Sequence, residues 1–183
     1  MYAILDIETT GGQFNEEGIT EIAIYKYDGH EIVDQFISLV NPEIPIQPFV
    51  VKLTGINNAM LRSAPKFYEV AKRIIEMTND CILVAHNATF DYRILRTEFK
   101  RLGYDFHQKT LCTVELSKKL LPEQESHSLG KLVRALGIPM ADRHRASGDR
   151  KAVAPWPNVS SWSAPVISRS SRPKAGAMLA PRW

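Results

Sequence analysis

Apolar positions in this chain recur with two periods, and the change from one to the other marks out the elements. Tyr2–Glu8 is a short β-favourable run that closes on Thr9-Thr10-Gly11-Gly12, a turn signal. Ile19–Tyr27 and His30–Val40 are rich in Ile, Val, Tyr and Phe. They flank Asp28-Gly29, a dipeptide suited to the positive φ angles of a tight hairpin. Asn41–Gln47 carries Pro42 and Pro45 and reads as loop. From Pro65 onward the period lengthens, and Phe67, Val70, Ala71, Ile74 and Ile75 fall on one helical stripe. Cys81–His86 predicts a fourth strand, apolar enough for burial on both faces. Asn87 can cap a following helix that runs to Leu102 and stops at Gly103. Lys109–Thr113 predicts a fifth strand. Thr113–Leu121 and Ser128–Leu136 predict helices, the second with Leu129, Leu132, Val133 and Leu136 on one stripe. Arg145–Ala154 starts a last helix that Pro155 ends. A hairpin sheet followed by β-α-β crossovers implies a mixed sheet with helices packed on it.

Composition adds limits to this outline. The chain has 183 residues, 44% hydrophobic and 23% charged, which suits one globular domain and excludes wholesale disorder or a collagen-like repeat. The longest unbroken apolar run, Cys81–Ala85, is too short to span a bilayer, so no membrane partner is expected. No basic stretch followed by a long apolar run opens the chain, so a cytoplasmic location is expected. Cys81 and Cys112 have no zinc-ligand spacing and read as reduced packing residues. The net charge of +3 is unevenly spread. From Arg150 onward there are six bases and no acid, together with all three tryptophans and five of the eleven prolines. Residues 1–149 are mildly acidic, so the overall positive charge is not a nucleic-acid-binding face of the body.

Three places carry candidate chemistry. In a strand, Asp6 and Glu8 point to the same face, and two neighbouring carboxylates repel unless a divalent cation joins them. A solvent-facing strand end is the competing reading of that pair. On a wheel of the helix after Asn87, with Phe90 at zero, Asp91 falls at about 100°, inside the apolar arc spanned by Ile94, Leu95, Leu102 and Phe99. The sheet-facing side of a helix is a costly place for an unpaired carboxylate. Glu98 falls at about 80°, in the same arc, and reads as a boundary residue that reaches solvent. Further on, His144 and Asp149 flank a loop-to-helix junction, where a histidine can take a proton from water beside an acid. Taken alone, a surface histidine and a helix-terminal acid are the more ordinary reading of them.

Taken together, these segments resemble a known family. Asp6-Ile7-Glu8-Thr9-Thr10-Gly11, His86-Asn87-Ala88-Thr89-Phe90-Asp91 and His144 with Asp149 look like the three motifs of the DEDDh exonucleases. That family includes the proofreading epsilon subunit of bacterial DNA polymerase III. Leu53-Thr54-Gly55-Ile56 and Ser128-Leu129-Gly130-Lys131-Leu132 strengthen the likeness, which covers roughly residues 1–149. It implies a ribonuclease H-like α/β fold, a five-stranded mixed sheet with helices on both faces, over a domain of residues 1–154. It also implies metal-dependent 3′–5′ hydrolysis of single-stranded or frayed DNA, or short RNA, to nucleoside 5′-monophosphates.

By the same resemblance, Asp6, Glu8, Asp91 and Asp149 hold two divalent ions, Mg²⁺ or Mn²⁺, and His144 is the general base. Thr9, Thr10 and Asn87 would lie by the terminal nucleotide, with Leu53, Ile56 and Phe90 as an apolar wall. Core packing is an equal reading of Leu53, Ile56 and Phe90. Arg143, Arg145, Arg150 and Lys151 surround the third motif and could meet phosphates or form a solvated edge. DNA 3′ ends are the expected partner, and a DNA polymerase is a further one. His86 reads as ordering its strand end, and His30, His107 and His127 as surface residues.

The departure from the family follows Asp149. Relatives continue there into a long amphipathic helix, whereas Pro155-Trp156-Pro157 permits only about one further turn. Residues 155–183 show no helical or strand period and read as an irregular basic tail. A shifted reading frame or a truncated gene is the expectation, which translation of the other two frames tests. A metal ligand displaced by about 1 Å would lose about 100-fold in rate. An inactive fragment, or a module that binds nucleic acid or a polymerase without cutting, is therefore the alternative reading.

Overall fold

The computed structural model describes residues 1–137. The helix expected from Arg145 and the tail beyond Pro155 lie outside the described residues. Within them run β1 (Tyr2–Thr9), β2 (Ile19–Tyr27), β3 (Ile32–Leu39), α1 (Pro48–Thr54), α2 (Asn58–Leu61), α3 (Phe67–Thr78), β4 (Ile82–Ala85), α4 (Ala88–Arg101), β5 (Thr110–Cys112), α5 (Thr113–Leu120) and α6 (Leu129–Ala135).

The five strands form one mixed sheet in the order β3-β2-β1-β4-β5. β1 pairs antiparallel with β2 and parallel with β4, so it is the strand at which the sheet changes direction. One face of β1 carries Ala3, Leu5 and Ile7. It joins Ile22, Ile24 and Leu83 under α3 (Phe67, Val70, Ile74, Met77) and α4 (Ile94, Leu95, Phe99). The other face carries Ile4 with Ala23, Tyr25 and Tyr27. Asp6 and Glu8 continue that second face, in line with Ile4. Inside the core, the Phe67 ring meets the edge of Phe99, with ring centroids 5.1 Å apart, and Phe106 stacks on Phe99 at 4.7 Å.

Local chemistry explains the boundaries. Pro48 opens α1, where its missing N–H costs nothing, and Gly55 ends it at φ 74°. The Asn57 side chain caps α2 by accepting from the Ala59 and Met60 N–H groups. At the start of α3, Glu69 accepts the Lys66 N–H at 2.7 Å. Gly103 ends α4 in the left-handed conformation. The Gly103 N–H donates to the Lys100 carbonyl and the Tyr104 N–H to the Phe99 carbonyl, which satisfies the last turn.

Several expectations need correction. In the β2–β3 turn only Gly29, not Asp28, has positive φ. Asp28 instead accepts from the His30 and Glu31 N–H groups, so the turn is a wider Asx-type loop. Asn87 precedes α4 as expected, but it sits at φ 79° and makes no side-chain cap bond. β4 is not buried on both faces. Ile82 and Val84 are only half-buried because their face continues toward Asp6, which opens to solvent. Leu136 is exposed because α6 has already ended at Ala135. His127 is half-buried and hydrogen-bonds Ser117 at 2.9 Å. No helix among the described residues is long and apolar enough to cross a membrane.

Candidate active site

β1 and β4 stay paired only as far as Ile4 and Val84. Beyond that point the chain of β4 turns away into α4, and the strand ends part. In open α/β sheets this is where ligands bind. α4 brings Asp91 to the gap in its first turn, where the helix dipole favours a carboxylate. The Asp91 carboxylate accepts a hydrogen bond from the Ile7 N–H, a β1 donor beyond the stretch that β4 pairs. On β2, a bulge at the Glu8–Thr9 position sets Thr20 outside the ladder, immediately beside the acidic pair.

The carboxylates of the first two motifs interact. Burial drives the Asp91 carboxyl up to about 8, and repulsion from Asp6 adds to it. Hydrogen bonds from the Asp91 and Ile7 amides pull the other way, and Glu8 adds a smaller repulsion. Asp6 has its surface open to solvent, yet the protein around it withdraws enough water to raise its carboxyl. Glu21 repels it further, and the Ile7 amide partly offsets both. Glu21 lies directly opposite Glu8 across the β1–β2 pair, on the same face, and is fully buried.

A cluster of this kind is strained without a counter-charge. Hard carboxylate oxygens crowded in this way suit a divalent cation, which reverses both burial and repulsion. Asp6, Glu8 and Asp91 therefore fit the ions that the motifs imply. Among the described residues no three such side chains converge as a ready-made metal site. Asp149 and His144, the remaining expected members, lie outside the described residues, as do Arg143, Arg145, Arg150 and Lys151.

The expected substrate contacts divide into two groups. Thr10 and Ile56 are fully buried. The Thr10 hydroxyl donates to the Gly11 carbonyl and accepts from the Gly18 N–H, so it serves the loop after β1. Ile56 packs with Ile46, Val50 and Leu61 under α1 and α2, which is the core-packing reading. Leu53, in contrast, is 53% exposed on α1. Asn87 is exposed, and Thr9 and Phe90 are half-buried. An open depression of about 560 Å³ lies beside the end of β1, lined by Gly11, Gly12, Gln13, Ile44 and Phe49 among others. His86 ties β4 to the start of α5 through the Thr113 hydroxyl at 3.0 Å.

Helix α4 also holds the loop between β1 and β2, an arrangement not anticipated from sequence. Arg93 donates to both carboxylate oxygens of Glu17, at 2.8 and 3.1 Å, and to Asn15 Oδ1 at 3.2 Å. Arg101 donates to the Asn15 and Glu17 carbonyls at 3.0 and 3.1 Å. Glu98 does not reach solvent. It is buried, accepts the Ile19 N–H at 3.3 Å and pairs with Arg101 at 2.9 Å. The surviving sequence signal was its place in the apolar arc, and the partner that explains it is 79 residues away in the chain.

Comparison with known proteins meets this geometry. The exonuclease profile, RNase_T, matches residues 3–155. The chain belongs to the exonuclease family. This exonuclease domain is 38% identical over 153 residues to the PolC-type DNA polymerase III of Caldanaerobacter subterraneus subsp. tengcongensis, covering 84% of the chain and 11% of that protein. It is 36% identical over 154 residues to the 3′–5′ exonuclease DinG of Staphylococcus aureus, covering 84% of the chain and 17% of that protein. The domain thus spans well under a fifth of these relatives' length. Exonuclease X, solved with 5′ overhanging duplex DNA, superposes with a TM-score of 0.69 at 26% identity, covering 94% of this chain and 95% of that one. The fold is ribonuclease H-like, and the domain is of the DEDDh type.

Proposed function

We propose that this domain is a metal-dependent 3′–5′ exonuclease that removes nucleoside 5′-monophosphates from DNA 3′ ends, single-stranded or frayed. The observation that carries this reading is the coupling of Asp91 to Asp6 and Glu8 at the parting of β1 and β4. The names of the relatives support the direction of cutting, since DinG is a 3′–5′ exonuclease. The DNA in the Exonuclease X structure supports the substrate class.

Asp6, Glu8, Asp91 and Asp149 would hold two divalent ions, Mg²⁺ or Mn²⁺. When bound, such ions lower the pKa of an attacking water and offset the charge that develops on the phosphate. Asp6, on the strand where the sheet changes direction, would be one of their ligands. His144 would take the proton from the attacking water. The new bond joins that water's oxygen to phosphorus, and the bond to the 3′ oxygen of the preceding nucleotide breaks. Exposed Leu53 and half-buried Phe90 would offer apolar contact to the terminal base, and half-buried Thr9 and exposed Asn87 would offer polar contact. Apolar contact does not read sequence. Association with a polymerase, suggested by the PolC-type relative, is a further part of this reading.

The test is a 5′-labelled single-stranded DNA oligonucleotide incubated with the chain and Mg²⁺ or Mn²⁺. A descending ladder is expected, abolished by EDTA, by Asp6→Ala and by His144→Ala. The second reading is a chain that does not cut, either an inactive fragment or a module that binds nucleic acid or a polymerase. Pro155 and Pro157, soon after Asp149, favour it. A folded chain that gives no ladder with either ion would establish that reading and refute the first.

A further inference from the structure

Phe14 stands at the tip of the loop between β1 and β2 and is 71% exposed. No large apolar side chain among the described residues is more so. Scattered exposed apolar residues are ordinary, but this ring is mounted. The Arg93 guanidinium lies over one face, 4.3 Å from the ring centroid. The same guanidinium is fixed by Glu17 and Asn15 and also lies over the Phe90 ring, 5.4 Å from its centroid. Arg101 and Glu98 hold the base of the loop against α4. A ring held this way keeps its orientation, and its outer face is free.

We propose that the free face of Phe14 is a stacking platform for a nucleobase of the strand whose 3′ end occupies the Asp6–Asp91 site. This rests on the exonuclease reading above. Four observations favour a base over other occupants. The surface is one flat π-face rather than a groove for a helix. Its neighbours Gln13, Asn15 and Glu16 are polar, which does not suit an apolar protein surface. Among the described residues, the cations that touch the loop, Arg93 and Arg101, are engaged with Glu17 and loop carbonyls, so they offer the loop's base contact no phosphate partner. Finally, Arg93 contacts both Phe14 and Phe90, and Phe90 is the residue before Asp91. A guanidinium behind an aromatic ring also draws electron density from its exposed face, which favours an electron-rich base.

The experiment uses the full chain, a single-stranded DNA oligonucleotide carrying 2-aminopurine at successive positions from the 3′ end, and Ca²⁺ in place of Mg²⁺. Fluorescence quenching should peak at one position upstream of the terminal nucleotide. Phe14→Ala, with an unchanged thermal midpoint, should lose that quenching and bind roughly tenfold more weakly or worse, whereas Phe14→Trp should keep both. Affinity within twofold of the wild type in Phe14→Ala, with quenching retained, overturns the platform. So does a wild-type chain that binds no oligonucleotide. The ladder assay separates the two readings. A chain that binds through Phe14 but does not cut refutes hydrolysis alone, and one that cuts but is indifferent to Phe14 refutes the platform alone.

Discussion

Replacing Asp91 with Asn should stabilise the metal-free protein while abolishing hydrolysis. The Asp91 carboxyl is raised from 3.8 to about 8, by burial first and Asp6 second. A carboxyl raised on folding costs stability wherever the unfolded chain would ionise it. Below pH 3.8 it is protonated in both states and costs nothing. As pH rises toward about 8 the folded state is progressively penalised, by about 1.4 kcal/mol per unit, or ~4 kcal/mol at pH 7 as a ceiling. Asp6 shares this strain, and part of the energy stays with it, so about 2 kcal/mol is a fair expectation for the Asn variant. For a chain of this size that raises the thermal midpoint by about 4–8 °C. The assay is thermal unfolding in EDTA at pH 4, 5.5, 7 and 8. The gap between Asp91→Asn and wild type should be small at pH 4 and widen to pH 8. Added Mn²⁺ should raise the wild-type midpoint and leave the variant's unchanged. An Asn variant no more stable than wild type at pH 7 in EDTA, or a gap that does not change with pH, would refute the argument.

Two further outcomes follow from the loop. Glu17 is buried, and its hydrogen bonds from Arg93 hold its carboxyl below the ordinary range. Its contribution is therefore present above the ordinary glutamate pKa and fades as pH falls through the folded value. Glu17→Gln should cost about 2 kcal/mol at pH 7 and progressively less as pH falls below the ordinary glutamate pKa, measured by denaturant unfolding across that range. Gly18→Ala would place a methyl 2.6 Å from Pro42 Cβ, against a rigid ring, so a drop of about 1–3 kcal/mol is expected in the same measurement, and a neutral result would show that the Pro42 loop yields.

Much of the architecture was legible because its determinants are local. β2 keeps the predicted bounds, Ile19–Tyr27, since its apolar density needs no partner to be recognised. Asp91 stands out by its place in the apolar arc together with the His86–Asp91 motif, and it is buried as that place requires. The misses are residues whose meaning depends on distant ones. Glu21 reads as an ordinary strand residue until pairing sets it opposite Glu8. Glu98 was misjudged because its partner is the Ile19 amide. Ile56 belongs to a familiar motif, and only the packing of α1 and α2 shows it filling a core. Those two helices were missed because a helix of seven residues or four is too short to show a period, though Pro48 and Gly55 bracketed the first.

The latch of Arg93, Glu98 and Arg101 divides the loop it holds into two regimes of tolerated change. Asn15, Glu17 and Ile19 are gripped at their backbone or side chains, so lengthening the chain there would pull directly on the helix that carries Asp91. Gly12 has no atom within 4 Å of where a side chain would begin, and Phe14 projects into solvent. Residues 13 and 14 can therefore be exchanged with little effect on the acids, whereas Gly12, at φ 116°, is held to glycine by its backbone. An engineer seeking a different reach along the strand would graft there, with the chemistry held at a fixed distance by a helix that meets the graft through Arg93.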